Sequence, residues 1–178
     1  MKVKVKICGI KTLEAAQTAI NAGADFLGFN FVPSSKRYIK PKLAEKIISQ
    51  IKNNVKIVGV FQNIKTDYIN KIVKLLDLDY VQLHEKKIIR STKNISIYRL
   101  IDRKIQGSGQ IPDLEEAQKL AKQNNIFFAG GLTPDNVEQI IKKIRPYSVD
   151  VAGGIETNGV QDNKKIRDFI YKVKEIKI

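Results

Sequence analysis

The chain has one cysteine and one histidine in 178 residues. One cysteine excludes an internal disulfide. One of each leaves no plausible ligand set for zinc, which is held mainly by several Cys and His together, so no metal is expected. No apolar run is long enough to span a bilayer, so no membrane partner is expected. The start, Met1–Lys6, alternates lysine with valine and has no signal-peptide apolar core. With no targeting segment, the expected setting is cytoplasmic. No low-complexity linker interrupts the chain, and residues 1–178 suit one domain with a sizeable core. No GxGxxG or P-loop follows the first strand pattern. Acidic residues are scarce, 18 against 32 Lys and Arg, for a formal net charge of +14. That balance raises the question of nucleic acid. Yet the lysines are scattered along helix faces, as at Lys42, Lys46, Lys52, Lys142 and Lys143, and no RNP, KH or zinc-finger pattern occurs. The charge is read as solvated surface with a general attraction for anionic substrates. Oligomeric state is left open.

What is present is a strand–helix alternation. Val3–Cys8 is the first expected strand. Thr12 caps a helix through Asn21, closed by Gly23. Asp25–Phe31 is the second strand. Pro41 opens a helix with Leu43, Ala44, Ile47, Ile48 and Ile51 on one face. Val55–Phe61 is the third strand, and Thr66 caps a helix with Ile69, Ile72, Val73 and Leu76 inward. Asp79–His84 and Ile95–Ile101 are the next strands, and Pro112–Gln123 is a helix. Ile126–Ala129 and Ser148–Ala152 are the last strands. Between them Thr133-Pro134 starts a helix with Val137, Ile140, Ile141 and Ile144 on one face. Asp162–Lys174 is the final helix. Seven strands alternating with helices mean an α/β fold with parallel strands.

Two glycine pairs organise the end of this pattern. Gly130-Gly131 follows one strand and Gly153-Gly154 the next. In a parallel sheet both pairs fall at C-terminal strand ends on neighbouring strands. Glycine lets the backbone approach a ligand closely, and nearby helix N-termini add donors. The expected ligand is a phosphate. A phosphate site on the last two loops is a habit of barrels, so the barrel is preferred over an open doubly wound sheet.

In the first strand Val3, Val5 and Ile7 share one face, and Lys4, Lys6 and Cys8 the other. In a barrel the apolar face packs on the helices and Cys8 points inward at the catalytic end. Lys6, two residues back on the same face, would favour the thiolate. Asp25 and Asp79 begin strands and belong to the opposite, stability end. Asp150, inside a strand, is read as structural.

The segment KICGI around Cys8 resembles the phosphoribosylanthranilate isomerase family of tryptophan biosynthesis. The resemblance continues through GADFLGFNF, PSSKRYI, VGVFQN, YVQLH, GSG at Gly107–Gly109, AGGLTPDNV and VDVAGGIE. It covers most of the chain in order. It implies a (β/α)8 TIM-type barrel and a cofactor-free Amadori rearrangement of a small phosphorylated substrate. It places the general base on Cys8 and the general acid on Asp102, with a raised pKa, across the pocket from the thiol. It pairs Arg37 with the anthranilate carboxylate. His84 is expected to line the pocket, and Gly107 to join the glycine pairs in substrate binding.

The chain departs from that family in its middle. Only eighteen positions separate His84 from Asp102, where the family holds two strands and two helices, so about one βα unit is missing. Ile95–Ile101 is then the sixth strand of the pattern rather than the fifth. The connection Glu85–Asn94 is short for a parallel crossover. The gap is expected to be covered by that segment and by direct pairing of the flanking strands; a second copy of the chain is the other possibility. The last glycine pair reads AGG where the family has serines, and Asn158–Asp162 lacks the family's lysine. Two other readings stand beside the isomerase. One is a related sugar-phosphate isomerase of histidine biosynthesis, against which Cys8 argues, since those barrels carry aspartate there. The other is an inactive truncated paralogue binding phosphorylated ligands or nucleic acid.

Overall fold

The computed structural model describes residues 2–83, 96–97, 99–101, 113–123 and 125–176. The strands are β1 (Lys4–Cys8), β2 (Phe26–Asn30), β3 (Lys56–Phe61), β4 (Tyr80–Leu83), β5 (Ser96–Ile97), β6 (Arg99–Ile101), β7 (Ile126–Ala129), β8 (Ser148–Val151), β9 (Glu156–Thr157) and β10 (Val160–Gln161). The helices are α1 (Leu13–Ala22), α2 (Pro41–Ile51), α3 (Thr66–Leu76), α4 (Leu114–Gln123), α5 (Val137–Ile144) and α6 (Asn163–Glu175). Strands β1 to β8 form one sheet in the order β5-β4-β3-β2-β1-β8-β7-β6, every pairing parallel.

β5 and β6 occupy the two ends of that order, yet one residue separates them in sequence. The start of this stretch pairs with β4, through Tyr80↔Ser96 and Val81↔Ile97. Its end pairs with β7, from Arg99↔Ile126 to Ile101↔Phe128. The ends of the sheet therefore meet in one stretch of chain, which closes a shortened barrel of the TIM type. Direct pairing with the flanking strands does meet the expectation for the gap. Residues 84–95, including most of Glu85–Asn94, lie outside the described residues. The crossover from Leu83 to Ser96 leaves twelve intervening residues, so the connection judged short is long enough for a parallel pairing.

Alternation along β1 sorts two cores. Val3, Val5 and Ile7 are buried in one cluster with the helices' apolar faces and with residues of neighbouring strands such as Leu27 and Ile57. The helices contribute apolar faces at helical spacing: Ala15, Ala16, Ala19 and Ala22 in α1; Ile69, Ile72, Val73 and Leu76 in α3; Ile166, Phe169, Ile170 and Val173 in α6. The opposite strand faces fill the barrel. Phe26, Val58 and Phe127 pack there with Tyr80 and Tyr147. Phe26 meets Tyr80 and Phe127 edge-on at 5.6 and 5.1 Å, and the Lys4 ammonium lies over Tyr147. This aromatic layer floors the barrel at its N-terminal end. Asp25 and Asp79 sit at that end too, accepting from the Val5 and Ile57 backbone N–H groups at 2.8 and 2.9 Å.

Three local expectations are corrected. Thr66 is the first residue of α3 rather than its cap; Lys65 holds the cap position without a side-chain bond. Thr133-Pro134 opens a turn and not the helix itself. The Asn136 carboxamide spans that turn, accepting from Thr133 N–H at 2.9 Å and donating to the Gly131 carbonyl at 2.8 Å, so α5 starts at Val137. Leu43 lies at the margin of the apolar stripe of α2 and is 47 % exposed, while Ala44, Ile47, Ile48 and Ile51 are buried. Thr12, Gly23 and Asp162 cap as expected or better, Asp162 accepting from two backbone N–H groups of α6.

Candidate active site

Cys8 ends β1 on the inward face, at the C-terminal mouth of the barrel. Gly28 lies beside it on β2. A Cβ on Gly28 would stand 2.8 Å from the Cys8 sulfur and 3.0 Å from Lys6 Cε. The missing side chain is what makes room for both. Lys6 is fully buried one layer below. Its ammonium donates to Asp150 Oδ2 at 2.7 Å, to Gln82 Oε1 at 2.6 Å and to the Cys8 sulfur at 3.4 Å. Asp150 is therefore no ordinary strand residue: its carboxylate enters the barrel as half of a buried ion pair. Removing one partner of such a pair costs about 3–5 kcal/mol.

Burial pushes the Cys8 thiol above its ordinary pKa. The Lys6 ammonium works against that shift by charge and hydrogen bond, as does the Arg37 guanidinium, while the Asp150 carboxylate adds to it. Cys8 as a whole residue is half-buried.

Arg37 reaches the same mouth from the loop after β2. Its stem passes over Gly9, where a Cβ would meet Arg37 Cδ at 2.6 Å, and its tip lies beside Gly153. The guanidinium is already engaged. Nε donates to Glu156 Oε1 at 2.5 Å and Nη2 to Oε2 at 2.9 Å, with Lys36 3.2 Å from the same carboxylate. Burial works to raise Glu156, but these cations prevail and hold its carboxyl below the usual range. Five N–H donors on the guanidinium leave a further edge for a ligand carboxylate.

Glu156 begins a hairpin after β8 that pattern reading passed over. Asn158 and Gly159, both at positive φ, make the two-residue turn between β9 and β10. Asn-Gly is a strong hairpin signal and could have been found. The hairpin sets the Gln161 amide on the Cys8 carbonyl at 3.4 Å and delivers Asp162 to the cap of α6.

The two glycine pairs are brought together as adjacent loops. β7 and β8 pair in parallel, and each pair follows its strand. Gly130 and Gly131 hold positive φ of 92° and 69°. Gly154 packs so tightly on the neighbouring loop that a Cβ would lie 1.8 Å from the Leu132 carbonyl oxygen. Its lack of a side chain serves loop packing first. His84, Asp102 and Gly107 lie outside the described residues. Among the described ones, Gln82 and Glu156 join the mouth without having been singled out, and Asp150 joins it after being read as structural. Gln82 and Asp150 had a signal, each a polar residue flanked by apolar neighbours in its strand, Val81 and Leu83 for one and Val149 and Val151 for the other.

A closed parallel α/β barrel with a thiol, a guanidinium and two glycine loops at its C-terminal mouth defines a barrel enzyme acting at that face. The family model described as N-(5'phosphoribosyl)anthranilate (PRA) isomerase matches residues 5–97 and 85–172. The chain belongs to that family of isomerases. It is 38% identical over 201 residues to N-(5'-phosphoribosyl)anthranilate isomerase of Citrifermentans bemidjiense, covering 97% of this chain and 98% of the relative. The Streptococcus mutans isomerase is 38% identical over 192 residues, covering 97% and 99%. The crystal structure of the Thermotoga maritima phosphoribosyl anthranilate isomerase superposes with a TM-score of 0.89 at 31% identity, covering 98% of this chain and 100% of that one. A family structure in complex with reduced 1-(o-carboxyphenylamino)-1-deoxyribulose 5-phosphate gives 0.83 at 31% identity, over 98% and 100%.

The family match is doubled in the short middle of the chain. The two stretches matching the family overlap, so residues 85–97 answer to two places in its pattern. The first relative's alignment is 201 long against 178 residues here, so at least 201 − 178 = 23 of its positions have no counterpart. That is close to one βα unit, roughly 25 residues of a small barrel. The stretch 96–101 pairs with β4 as a fifth strand would and with β7 as a sixth would.

Proposed function

We propose that the chain converts N-(5′-phosphoribosyl)anthranilate to 1-(2-carboxyphenylamino)-1-deoxyribulose 5-phosphate without a cofactor, using Cys8 as general base and Asp102 as general acid. The observation that carries this is the Cys8 sulfur, inward at the barrel mouth, 3.4 Å from the Lys6 ammonium and within the field of the Arg37 guanidinium.

The acid protonates the ribose ring oxygen as the C1′–O bond breaks, and the nitrogen lone pair forms a protonated Schiff base. The thiolate then removes the C2′ proton. The electron pair of that C–H bond becomes the C1′=C2′ bond and the iminium nitrogen is neutralised. The enolamine tautomerises, gaining a proton at C1′ and losing one from the C2′ hydroxyl. The Schiff base brings a positive charge to the sulfur just when a thiolate is required, which offsets the burial that raises the thiol.

Arg37 holds the substrate's carboxylate with the edge that Glu156 leaves. The loops at Gly130-Gly131 and Gly153-Gly154 receive the phosphate by backbone N–H groups. The roles of Asp102, of His84 lining the pocket and of Gly107 at the phosphate rest on the family resemblance. As a biosynthetic isomerase of small metabolites, the enzyme is assigned to the cytoplasm.

The test is a turnover assay following loss of the substrate's anthranilate fluorescence. Cys8→Ser and Asp102→Asn should each lower kcat by roughly 10²–10⁴ while melting stays near wild type. Near-native turnover in either variant removes that residue from its role. Absence of turnover in the wild-type chain, with phosphorylated ligands still bound, would favour the inactive paralogue.

A further inference from the structure

Three side chains from three strands converge beneath the Cys8 sulfur, and the reaction above uses none of them. Lys6 comes from β1, Gln82 from β4 and Asp150 from β8. All are buried, at 0%, 2% and 6% exposure. The Lys6 ammonium reaches Gln82 Oε1 at 2.6 Å, Asp150 Oδ2 at 2.7 Å and Cys8 Sγ at 3.4 Å. An ammonium has three donors, one for each of these acceptors.

Stability alone does not call for this cluster. A buried ion pair can often be replaced by apolar residues of similar volume at no loss. The layer just below shows that this barrel fills its interior with such residues, Phe26, Val58, Phe127 and Tyr80. Among the described residues the buried charges, Lys6 and Asp150, lie in the layer that touches the sulfur. Gly28 keeps that contact open, since any Cβ there would press on both Lys6 Cε and the sulfur.

We propose that Lys6, held by Asp150 and Gln82, is a positioning residue that stabilises the Cys8 thiolate. This rests on the reading of Cys8 as the base. Asp150 and Gln82 hold the ammonium against the sulfur, and the thiolate shares the lysine's charge with Asp150. When the thiolate takes the C2′ proton, the sulfur becomes neutral and the lysine keeps Asp150 as its counter-charge, so no isolated ion is left in the barrel.

Among the described residues the charged groups facing the sulfur are Lys6, Asp150 and Arg37. Lys6 and Arg37 favour the thiolate and Asp150 opposes it. Removing Lys6 and removing Asp150 should therefore move the thiol in opposite directions. A purely structural role, acting by loosened packing, would move both alike.

Cys8 is the sole cysteine, so alkylation of the full chain reports one site. The experiment measures iodoacetamide alkylation rate against pH, and the kcat–pH profile, for wild type, Lys6→Met, Asp150→Asn and the double variant. Lys6→Met should raise the alkylation midpoint by about one pH unit or more, with the kcat profile moving alkaline by the same amount. Asp150→Asn should lower the midpoint. The double variant leaves no unpaired charge and keeps the test valid if a single variant fails to fold. Its midpoint should still rise, because the lysine both touches the sulfur and outweighs the aspartate. An unmoved midpoint in the variants lacking Lys6, or single variants moving the same way, overturns the proposal. A midpoint that moves while the kcat profile stays in place overturns Cys8 as base, and the role of Lys6 in turnover with it.

Discussion

Arg37 and Glu156 meet edge to edge, Nε and Nη2 of one donating to the two carboxylate oxygens of the other at 2.5 and 2.9 Å. They come from opposite parts of the chain, the loop after β2 and the hairpin after β8. The guanidinium that should recognise the substrate's carboxylate is thus aimed by a carboxylate of the protein. A bidentate pair of this kind fixes the plane of the guanidinium as well as its position.

Glu156→Gln should loosen that aim. A charged hydrogen bond is worth about 1.5–3 kcal/mol, so KM should rise roughly tenfold with kcat changed much less. Acid gives the same test in wild type. The carboxyl of Glu156 lies below its usual range, so the ion pair is complete above the unfolded-state value and is lost only as pH falls through the lower folded value. KM should hold steady into mildly acidic solution and climb below the ordinary glutamate range. A fall in KM on substitution would mean that Glu156 competes with the substrate for Arg37 instead of presenting it.

Gly28→Ala should hurt turnover more than folding. The new methyl would lie 2.8 Å from the Cys8 sulfur and 3.0 Å from Lys6 Cε, both flexible ends, with the Cys8 backbone at 3.2 Å. Such overpacking costs about 1–3 kcal/mol of stability. The sulfur must then leave the place it holds beside Lys6. Melting temperature and kcat measured side by side decide it. Native kcat with a lowered melting point would show that the sulfur's position tolerates a shift.

Much of this was legible in the sequence because the signals were periodic. The split of β1 into Val3, Val5, Ile7 and Lys4, Lys6, Cys8 is a period-2 fact, and it predicted the inward thiol. Gly23, Thr12 and Asp162 declare their caps by residue type. What pattern could not give was partnership at long range. Nothing local in SVDV says that Asp150 will meet Lys6 across 144 positions. Nothing in the VDVAGGIE match says that its glutamate will take hold of Arg37. The closure of the barrel is of the same kind, since a single stretch pairing on both sides is a property of two distant strands, not of its own residues. Thr133-Pro134 misled for a local reason, the Asn136 carboxamide holding a turn where a helix start was expected.

Free-enzyme kcat/KM should rise with pH into the alkaline range. Burial holds the Cys8 thiol above its ordinary value, so most of it is protonated at neutral pH and the reactive thiolate grows as pH climbs. Stability should move the other way. The unfolded thiol deprotonates first, so between its value and the higher folded one the unfolded state binds fewer protons and stability declines. A kcat/KM profile that is flat from neutral to alkaline pH would contradict a thiolate base.

The last prediction separates the two glycines after β8. Gly154 faces the Leu132 carbonyl oxygen, where a Cβ would lie 1.8 Å away, and backbone cannot swing aside as a side chain can. Gly154→Ala must push the loop after β8 off the loop after β7. Gly153 has only the tip of Arg37 near its missing side chain, at 3.2 Å, a flexible neighbour that can move. Gly153→Ala should therefore fold almost as wild type. If the two loops together hold the phosphate, inorganic phosphate should compete with substrate in wild type. Gly154→Ala should weaken that inhibition roughly tenfold, the loss of about one charged hydrogen bond. Gly153→Ala should leave the phosphate constant closer to native and raise KM instead, because its methyl presses on Arg37. Inhibition constants for phosphate, measured beside thermal melts for both variants, give the answer. Phosphate inhibition unchanged in a folded Gly154→Ala enzyme would place the anion away from these loops.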